Sequence, residues 1–212
     1  MKTTKIHDAL ELFQLDDKRD LEYCGRTLSA PLKSSYLSVG AHAPTHTCYF
    51  VLDILFSYFE FTPNSKLLDV GCGTGRVLAY FSQMKYPGIA VGIEIDPLIA
   101  ERSRNWSNSY SNLNVLTGNV LDIDLGLYTH FYLFNPFEDA VLAEFVQKLE
   151  GQTRGNITLC YMSDDPSIGY VDVNNGWSII ASGFIQDYQG IQVYGSPQHY
   201  SILQYRSSHQ AS

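Results

Sequence analysis

Lys66-Leu-Leu-Asp-Val-Gly-Cys-Gly-Thr-Gly-Arg76 decides the fold of this chain. Leu67 to Val70 is a short, mostly apolar run of the kind that makes a strand buried on both faces of a parallel sheet. Gly71, Gly73 and Gly75 follow at alternate positions, and an amphipathic run (Val77, Leu78, Tyr80, Phe81, Met84) begins at Arg76. The glycines therefore lie in a strand-to-helix turn. Without Cβ atoms such a turn closes tightly and lets a ligand reach the backbone. The N–H groups at the helix start point into the same space. In open α/β sheets ligands sit there, beyond the carboxyl ends of the strands. The stretch reads as a binding loop for a nucleotide-like cofactor.

Spacing narrows the cofactor. A dinucleotide fingerprint, G-x-G-x-x-G/A, counted from Gly71 puts Arg76 at the last small position, where it is too large to pack helix on strand. No Gly-Lys pair occurs, so the phosphate loop G-x-x-x-x-G-K-[ST] is absent. The pattern Asp69-x-Gly71-Cys72-Gly73-x-Gly75 instead resembles the first motif of class I S-adenosylmethionine-dependent methyltransferases. That resemblance implies a Rossmann-like α/β fold: a mostly parallel sheet, helices on both faces, and an antiparallel hairpin at the C-terminal end. It also implies S-adenosyl-L-methionine as cofactor, with Asp69, Gly71, Cys72, Gly73 and Gly75 around its methionine and ribose portion.

The whole chain is consistent with one globular unit. It has 212 residues, 45% apolar and 17% charged. Its net charge of −8 argues against sequence-independent nucleic-acid binding, which needs a basic footprint. The N-terminus lacks the apolar core of a signal peptide, no segment has the length of a membrane span, and a cytoplasmic setting is expected. The cysteines (Cys24, Cys48, Cys72, Cys160) are scattered, as expected of buried free thiols rather than a zinc site, and no metal spacing is present.

Residues 1–48 read as a lead-in and active-site cap, 49–206 as the methyltransferase domain, and 207–212 as a disordered tail. Ile6, Ala9, Leu10, Leu12 and Phe13 suggest a short helix that the Asp16-Asp-Lys-Arg-Asp20 run breaks; that run reads as a solvated face. A helix is expected over Tyr49 to Phe61, capped by Thr45 or Thr47. Pro44-Thr-His-Thr47 resembles the Pro-Thr segment that lies over the cofactor in some methyltransferases of this class, which implies a cofactor contact for Thr45. His46, with Tyr36, His42 and His199, is a candidate general base, needed only where the nucleophile must lose a proton.

Ile89 to Ile95 reads as the second strand, with Glu94 nineteen residues past Gly75, the distance at which an acid takes ribose hydroxyls. Asp96, immediately before Pro97, is better placed to cap the next helix, Pro97 to about Ser109. A strand over Leu113 to Thr117 runs into Gly118-Asn119-Val120. There the resemblance implies adenine contacts from Asn119 and the neighbouring backbone, as it does a cofactor contact at Ile95; as a bare sequence feature Asn119 is equally a turn residue. Tyr128 to Phe134 leads to Asn135-Pro136-Phe137, similar to the Asn/Asp-Pro-Pro-Tyr/Phe tetrapeptide of amino-methyltransferases but with one proline missing. Asn135 is expected beside the cofactor, with Pro136 and Phe137 at the acceptor. A helix over Glu138 to Leu149 and a strand over Asn156 to Met162 follow. Ser163 to Gly176 reads as a loop near the substrate opening, and Trp177–Ile185 and Tyr200–Tyr205 as the hairpin.

The implied reaction is in-line methyl transfer to a small-molecule or protein acceptor. A nucleobase amine, a cofactor sensor without turnover, and a nicotinamide-dependent oxidoreductase are the alternatives.

Overall fold

A computed structural model describes residues 7–29, 46–165, 171 and 175–207. Thr45, Tyr36, His42 and residues 208–212, together with part of the 163–176 segment, lie outside the described residues. In chain order the elements are α1 (Ala9–Cys24), α2 (Tyr49–Phe56), β1 (Lys66–Val70), α3 (Arg76–Gln83), β2 (Ile89–Glu94), α4 (Pro97–Ser107) and β3 (Leu113–Thr117). Then come β4 (His130–Phe134), α5 (Asp139–Gln152), β5 (Asn156–Ser163), β6 (Trp177–Ile185), β7 (Asp187–Tyr188), β8 (Ile191–Gln192) and β9 (Gln198–Arg206).

Seven strands form one sheet in the order β3-β2-β1-β4-β5-β9-β6, and β7 and β8 pair separately. β1 to β5 are mutually parallel where they pair. β9 runs antiparallel between β5 and β6, which makes the expected C-terminal hairpin and leaves β6 at the edge. The sheet reverses direction of winding between β1 and β4, the kind of switch point at which ligands sit in such sheets. No helix among the described residues is long and apolar enough to cross a membrane.

Two cores flank the sheet. Alternate β-strand residues point to opposite faces. Leu67 and Tyr132 join Leu12, Val51, Leu55, Leu78, Phe81 and Trp106 on the side of α1 to α4. Leu68, Val70, Phe131 and Leu133 join Leu142, Phe145 and Leu149 of α5 on the other. Cys48, Cys72 and Cys160 are buried free thiols as expected, and Cys24 is half-buried.

The N-terminal helix overturns its sequence reading. α1 does not stop at the charged run but passes through it, from an Asp8 cap to Gly25 in the left-handed conformation at φ 71. Its buried residues are Leu12, Asp16 and Asp20, four apart on one stripe, while Leu10 and Phe13 face solvent. The partner that makes acids suitable for the buried stripe is Arg76, the first residue of α3 and itself only 5% exposed. Its Nη2 meets Asp20 Oδ2 at 2.6 Å, its Nε meets Asp20 Oδ1 at 3.3 Å, and its Nη1 lies 3.5 Å from Asp16 Oδ2. Asp17 stands 3.8 Å from Nη2.

The same carboxylates hold α2. Asp16 Oδ2 accepts from the Tyr49 N–H at 3.2 Å, and Asp20 Oδ1 from the Tyr49 hydroxyl at 2.8 Å. Thr47 does not cap this helix, contrary to expectation, and Thr45 lies outside the described residues. Cys48 occupies the cap position without a side-chain bond, the helix ends at Phe56, and Thr47 Oγ1 pairs instead with Tyr132 Oη at 2.7 Å. Burial pushes the Asp16 carboxyl up to about 6. Burial is the largest influence on Arg76 and works against its charge, but the Asp20 hydrogen bond together with the Asp20 and Asp16 charges outweighs it, and the guanidinium is held above its ordinary value.

Replacing Arg76 by Ala leaves Asp16 and Asp20 buried and facing each other. We expect a loss of about 3–5 kcal/mol in denaturant unfolding, as when one partner of a buried pair is removed. A loss under about 1 kcal/mol is what a surface pair gives and would refute the assignment.

Candidate functional site

The residues singled out in the sequence meet at the carboxyl ends of β1, β2, β3 and β4. The glycine loop folds across the end of β2: the Gly71 and Cys72 N–H groups donate to the Ile93 carbonyl at 2.9 and 3.0 Å. Gly71, Gly73 and Gly75 all have positive φ (72, 53 and 92), which explains glycine at alternate positions. The Gly73 N–H donates to Glu94 Oε2 at 3.0 Å, and the Asp96 N–H to Glu94 Oε1 at 3.0 Å. Glu94 is thus fixed against the loop by both oxygens, and with about four acceptor sites a carboxylate keeps capacity beyond the bonds it makes here. The Glu94 carbonyl accepts from the Gly118 N–H at 3.0 Å, joining the end of β3 to the same cluster.

The other side of the switch point comes equally close. A Cβ built on Gly71 would stand 3.1 Å from Pro136 Cβ, so the glycine loop and the Asn135-Pro136 turn are in contact. Asn135 has φ 40, a left-handed conformation that Asn tolerates better than most residues. Its N–H donates to the Met162 carbonyl at 2.8 Å, and its Nδ2 lies 3.4 Å from Asp164 Oδ1.

Other candidates are placed less directly. Asp96 caps α4, accepting from Leu98 and Ile99 N–H groups, as the sequence suggested. Asn119 is exposed, and its Oδ1 accepts from the Leu121 N–H at 2.9 Å, the turn role. Ile95 and His46 are half-buried, and the Val120 side chain is buried in the α5-side core. The Phe137 ring, expected at the acceptor, packs in that core 6.0 Å from Phe145. His199 pairs with Ser163 at the carboxyl end of β5, beside the opening.

Two features of the site escaped sequence reasoning, the first being not the choice of Asp69, which the resemblance had already singled out, but its unpartnered burial. Asp69 is buried, and its Oδ2 has no hydrogen-bond partner among the described residues. Burial, and then the Glu94 charge, raise its carboxyl well above the usual range; Glu94 is raised too, mainly by burial, against the pull of the Asp96 and Gly73 N–H groups. The second is Gly92, which pairs in register with Asp69. A Cβ there would sit 2.6 Å from Cys72 Sγ and 2.8 Å from Cys72 Cβ. The missing side chain makes the hole into which the glycine loop plugs Cys72. Gly75 does the corresponding work against α4, where a Cβ would meet Ser103 Oγ at 2.4 Å. Close helix packing therefore falls to Gly75, and Arg76 is released to turn toward α1.

Residues 2–124, more than half of the chain, match the protein-L-isoaspartate(D-aspartate) O-methyltransferase family. The chain belongs to that family. A probable cobalt-precorrin-6B C(15)-methyltransferase (decarboxylating) from Archaeoglobus fulgidus is 33% identical over 58 residues, 27% of this chain. The matched part spans only 36% of that relative's length. Among solved structures, an RNA methyltransferase from Salinibacter ruber in complex with S-adenosyl-L-homocysteine superposes with a TM-score of 0.56 at 17% identity. The match covers 80% of this chain and 97% of that one. A putative methyltransferase from Escherichia coli gives 0.58 at 17% identity, covering 79% and 90%. The solved structures share its Rossmann-like fold.

The glycine loop of this family member should respond to a methyl group added behind it. Gly92→Ala has to push Cys72 and the loop away from β2. We expect about 1–3 kcal/mol of destabilisation in urea unfolding, the usual cost of overpacking. Wild-type stability in the variant would show that the fit behind the loop is loose.

Proposed function

We propose that this chain binds S-adenosyl-L-methionine across the tips of β1, β2 and β3 and transfers its methyl group to an acceptor held beside Asn135 and Pro136. The observation that carries the reading is the convergence of Gly73 on Glu94 and of Gly71 on Pro136 at the sheet's switch point. The residues present suit the cofactor. Glu94 has acceptor capacity for the ribose diol, the positive-φ glycines leave backbone open to approach, and a cationic sulfur bound here would favour the ionised forms of the Asp69 and Glu94 carboxyls that burial disfavours. When bound, the cofactor supplies an activated methyl group on a positively charged sulfur.

The protein's share is then alignment, and holding two reacting atoms in line removes much of the barrier to a displacement. The glycine loop and Glu94 fix one side, and the Asn119 turn lies where the adenine would end. Asn135 and Pro136 line the opposite side, where the acceptor enters. His46 and His199 are the described candidates for removing a proton from an acceptor that carries one. Phe137 acts through packing beneath the turn.

A small molecule or a protein side chain is the acceptor class we favour. The family name points to a protein carboxyl group, but the matched residues end at 124, before the acceptor side at Asn135. Net charge of −8 opposes a nucleic-acid surface, although the Asn135-Pro136-Phe137 turn keeps a nucleobase amine as the second reading.

Glu94→Gln should weaken S-adenosylhomocysteine binding by on the order of 1.5–3 kcal/mol, the worth of a hydrogen bond to a charged group. Calorimetry measures it, and unchanged affinity would remove Glu94 from the cofactor site. Asn135→Ala should lower turnover while cofactor affinity stays within about twofold, the pattern of a group that acts on the acceptor. Labelled-methyl transfer into fractionated nucleic acid, protein and metabolites supplies both the acceptor and the assay; cofactor binding without label in any fraction would favour a sensor.

A further inference from the structure

Behind the glycine loop, between α1 and α4, lies a cavity of about 300 Å³ lined by Arg26, Thr27, Leu28, Thr74 and Arg102. Two of its five lining residues are arginines and none is acidic. That is unusual in a chain with 14 basic and 22 acidic residues. The other arginines near it are committed. Arg19 bonds Gln83 and covers the Tyr49 ring, Arg76 is buried among Asp16 and Asp20, and Arg104 pairs with Glu101 and bonds Thr117. Arg26 and Arg102, both exposed to solvent, form no ion pair among the described residues, and both line this cavity.

The elements around the cavity hold its floor in place. Gly25, at φ 71, ends α1 and turns the chain so that Arg26 to Leu28 pass over the loop. Thr74 Oγ1 donates to the Leu28 carbonyl at 2.6 Å, and Trp106 Nε1 donates to the Thr74 carbonyl at 2.9 Å. Leu28 N–H is held in turn by Asp20 Oδ2 at 2.9 Å. Arg26 and Arg102 thus approach from two independent elements over a pinned floor. Thr27 adds a hydroxyl at the rim.

We propose that this cavity binds a phosphate group, with Arg26 and Arg102 gripping its oxygens from opposite sides. Two guanidinium forks on separate elements suit a tetrahedral anion, whose oxygens diverge, better than a planar carboxylate, which one fork satisfies. The bound anion offsets the repulsion between two unpaired cations. The volume lies at the small end of ligand sites, room for a phosphate carrying a modest organic group. The ligand's source is either free inorganic phosphate or a phosphomonoester. Because Thr74 belongs to the glycine loop, the occupant would touch the same segment that the proposed function assigns to the cofactor.

The test titrates the full chain with inorganic phosphate and, separately, with phenyl phosphate, by calorimetry at low and constant ionic strength. Saturable binding in the millimolar range or tighter is expected, weakened about tenfold or more in Arg26→Gln/Arg102→Gln with thermal stability unchanged. Tighter binding of phenyl phosphate identifies a phosphomonoester ligand, and equal or tighter binding of inorganic phosphate identifies the free ion. No saturable binding of either probe, or binding that the double variant leaves intact, overturns the proposal. So does a loss of S-adenosylhomocysteine affinity in the double variant, which would assign both guanidinium groups to the cofactor's carboxylate.

Discussion

A guanidinium out of water has to be paired, and most of the glycine loop's surroundings follow from how Arg76 meets that condition. Arg76 begins α3 directly after Gly75, at the helix end where a positive charge is least welcome to the backbone dipole. Asp20 and Asp16 reverse that penalty, and in doing so they bring α1 onto the sheet. Asp20 also takes the Leu28 N–H and the Tyr49 hydroxyl, and Asp16 takes the Tyr49 N–H. One buried charge therefore fixes the approach of three helices and of the segment that covers Thr74. The ion pair does not have to add net stability to do this, because removing either partner strands the other.

Behind the loop the constraint is steric rather than electrostatic. The register of β1 and β2 sets Asp69 opposite Gly92, and the space Gly92 leaves is taken by Cys72. The loop is thereby pinned from below by a thiol, from the side by the Ile93 carbonyl, and from the front by Glu94. Its positive-φ glycines make it able to bend so sharply; its neighbours decide where it stops. A preorganised loop of this kind gives up little further freedom when a ligand lands on it.

The parallel sheet was legible because its strands are short apolar runs separated by helices, and because Gly71, Gly73 and Gly75 mark a strand-to-helix turn that few other patterns require. Glu94 was legible by spacing. The α1 reading failed for an identifiable reason. Asp16 and Asp20 have the right spacing for a buried stripe, but a sequence pattern treats carboxylates as solvent-facing unless the partner is known, and Arg76 lies more than fifty residues away. The α2 cap failed similarly. Thr47 is a good local cap, yet Tyr132 on β4 offered its hydroxyl a partner and Asp16 took over the helix N-terminus. Gly92 carried no signal because a glycine inside a strand says only that something approaches closely. What approaches is set by the tertiary fold. Asn135 and His199 were legible as residues, but their neighbourhood was not, because it depends on β4 pairing with β5 and on β9 pairing beside β5, which bring Asn135 near Asp164 and His199 opposite Ser163.

Several of the places where this chain departs from ordinary folding preferences gather at one edge of the sheet. Asp69 buries a carboxyl oxygen without a partner, and Glu94 is raised by burial while bonded to two N–H groups. Asn135 holds a left-handed backbone, and three glycines in five residues take positive φ. All of them lie at the carboxyl end of β1, β2 and β4. Other departures lie elsewhere, such as positive φ at Lys85 and Gln189 and the buried Ser103 and Ser107 hydroxyls, which have no hydrogen-bond partner among the described residues, but they do not cluster with a second carboxylate. Folding alone gives no reason to gather strained backbone and costly carboxylates at one edge of the sheet, since each would be cheaper replaced. A ligand that is positively charged, and that needs bare backbone within reach, gives a reason for all of them together.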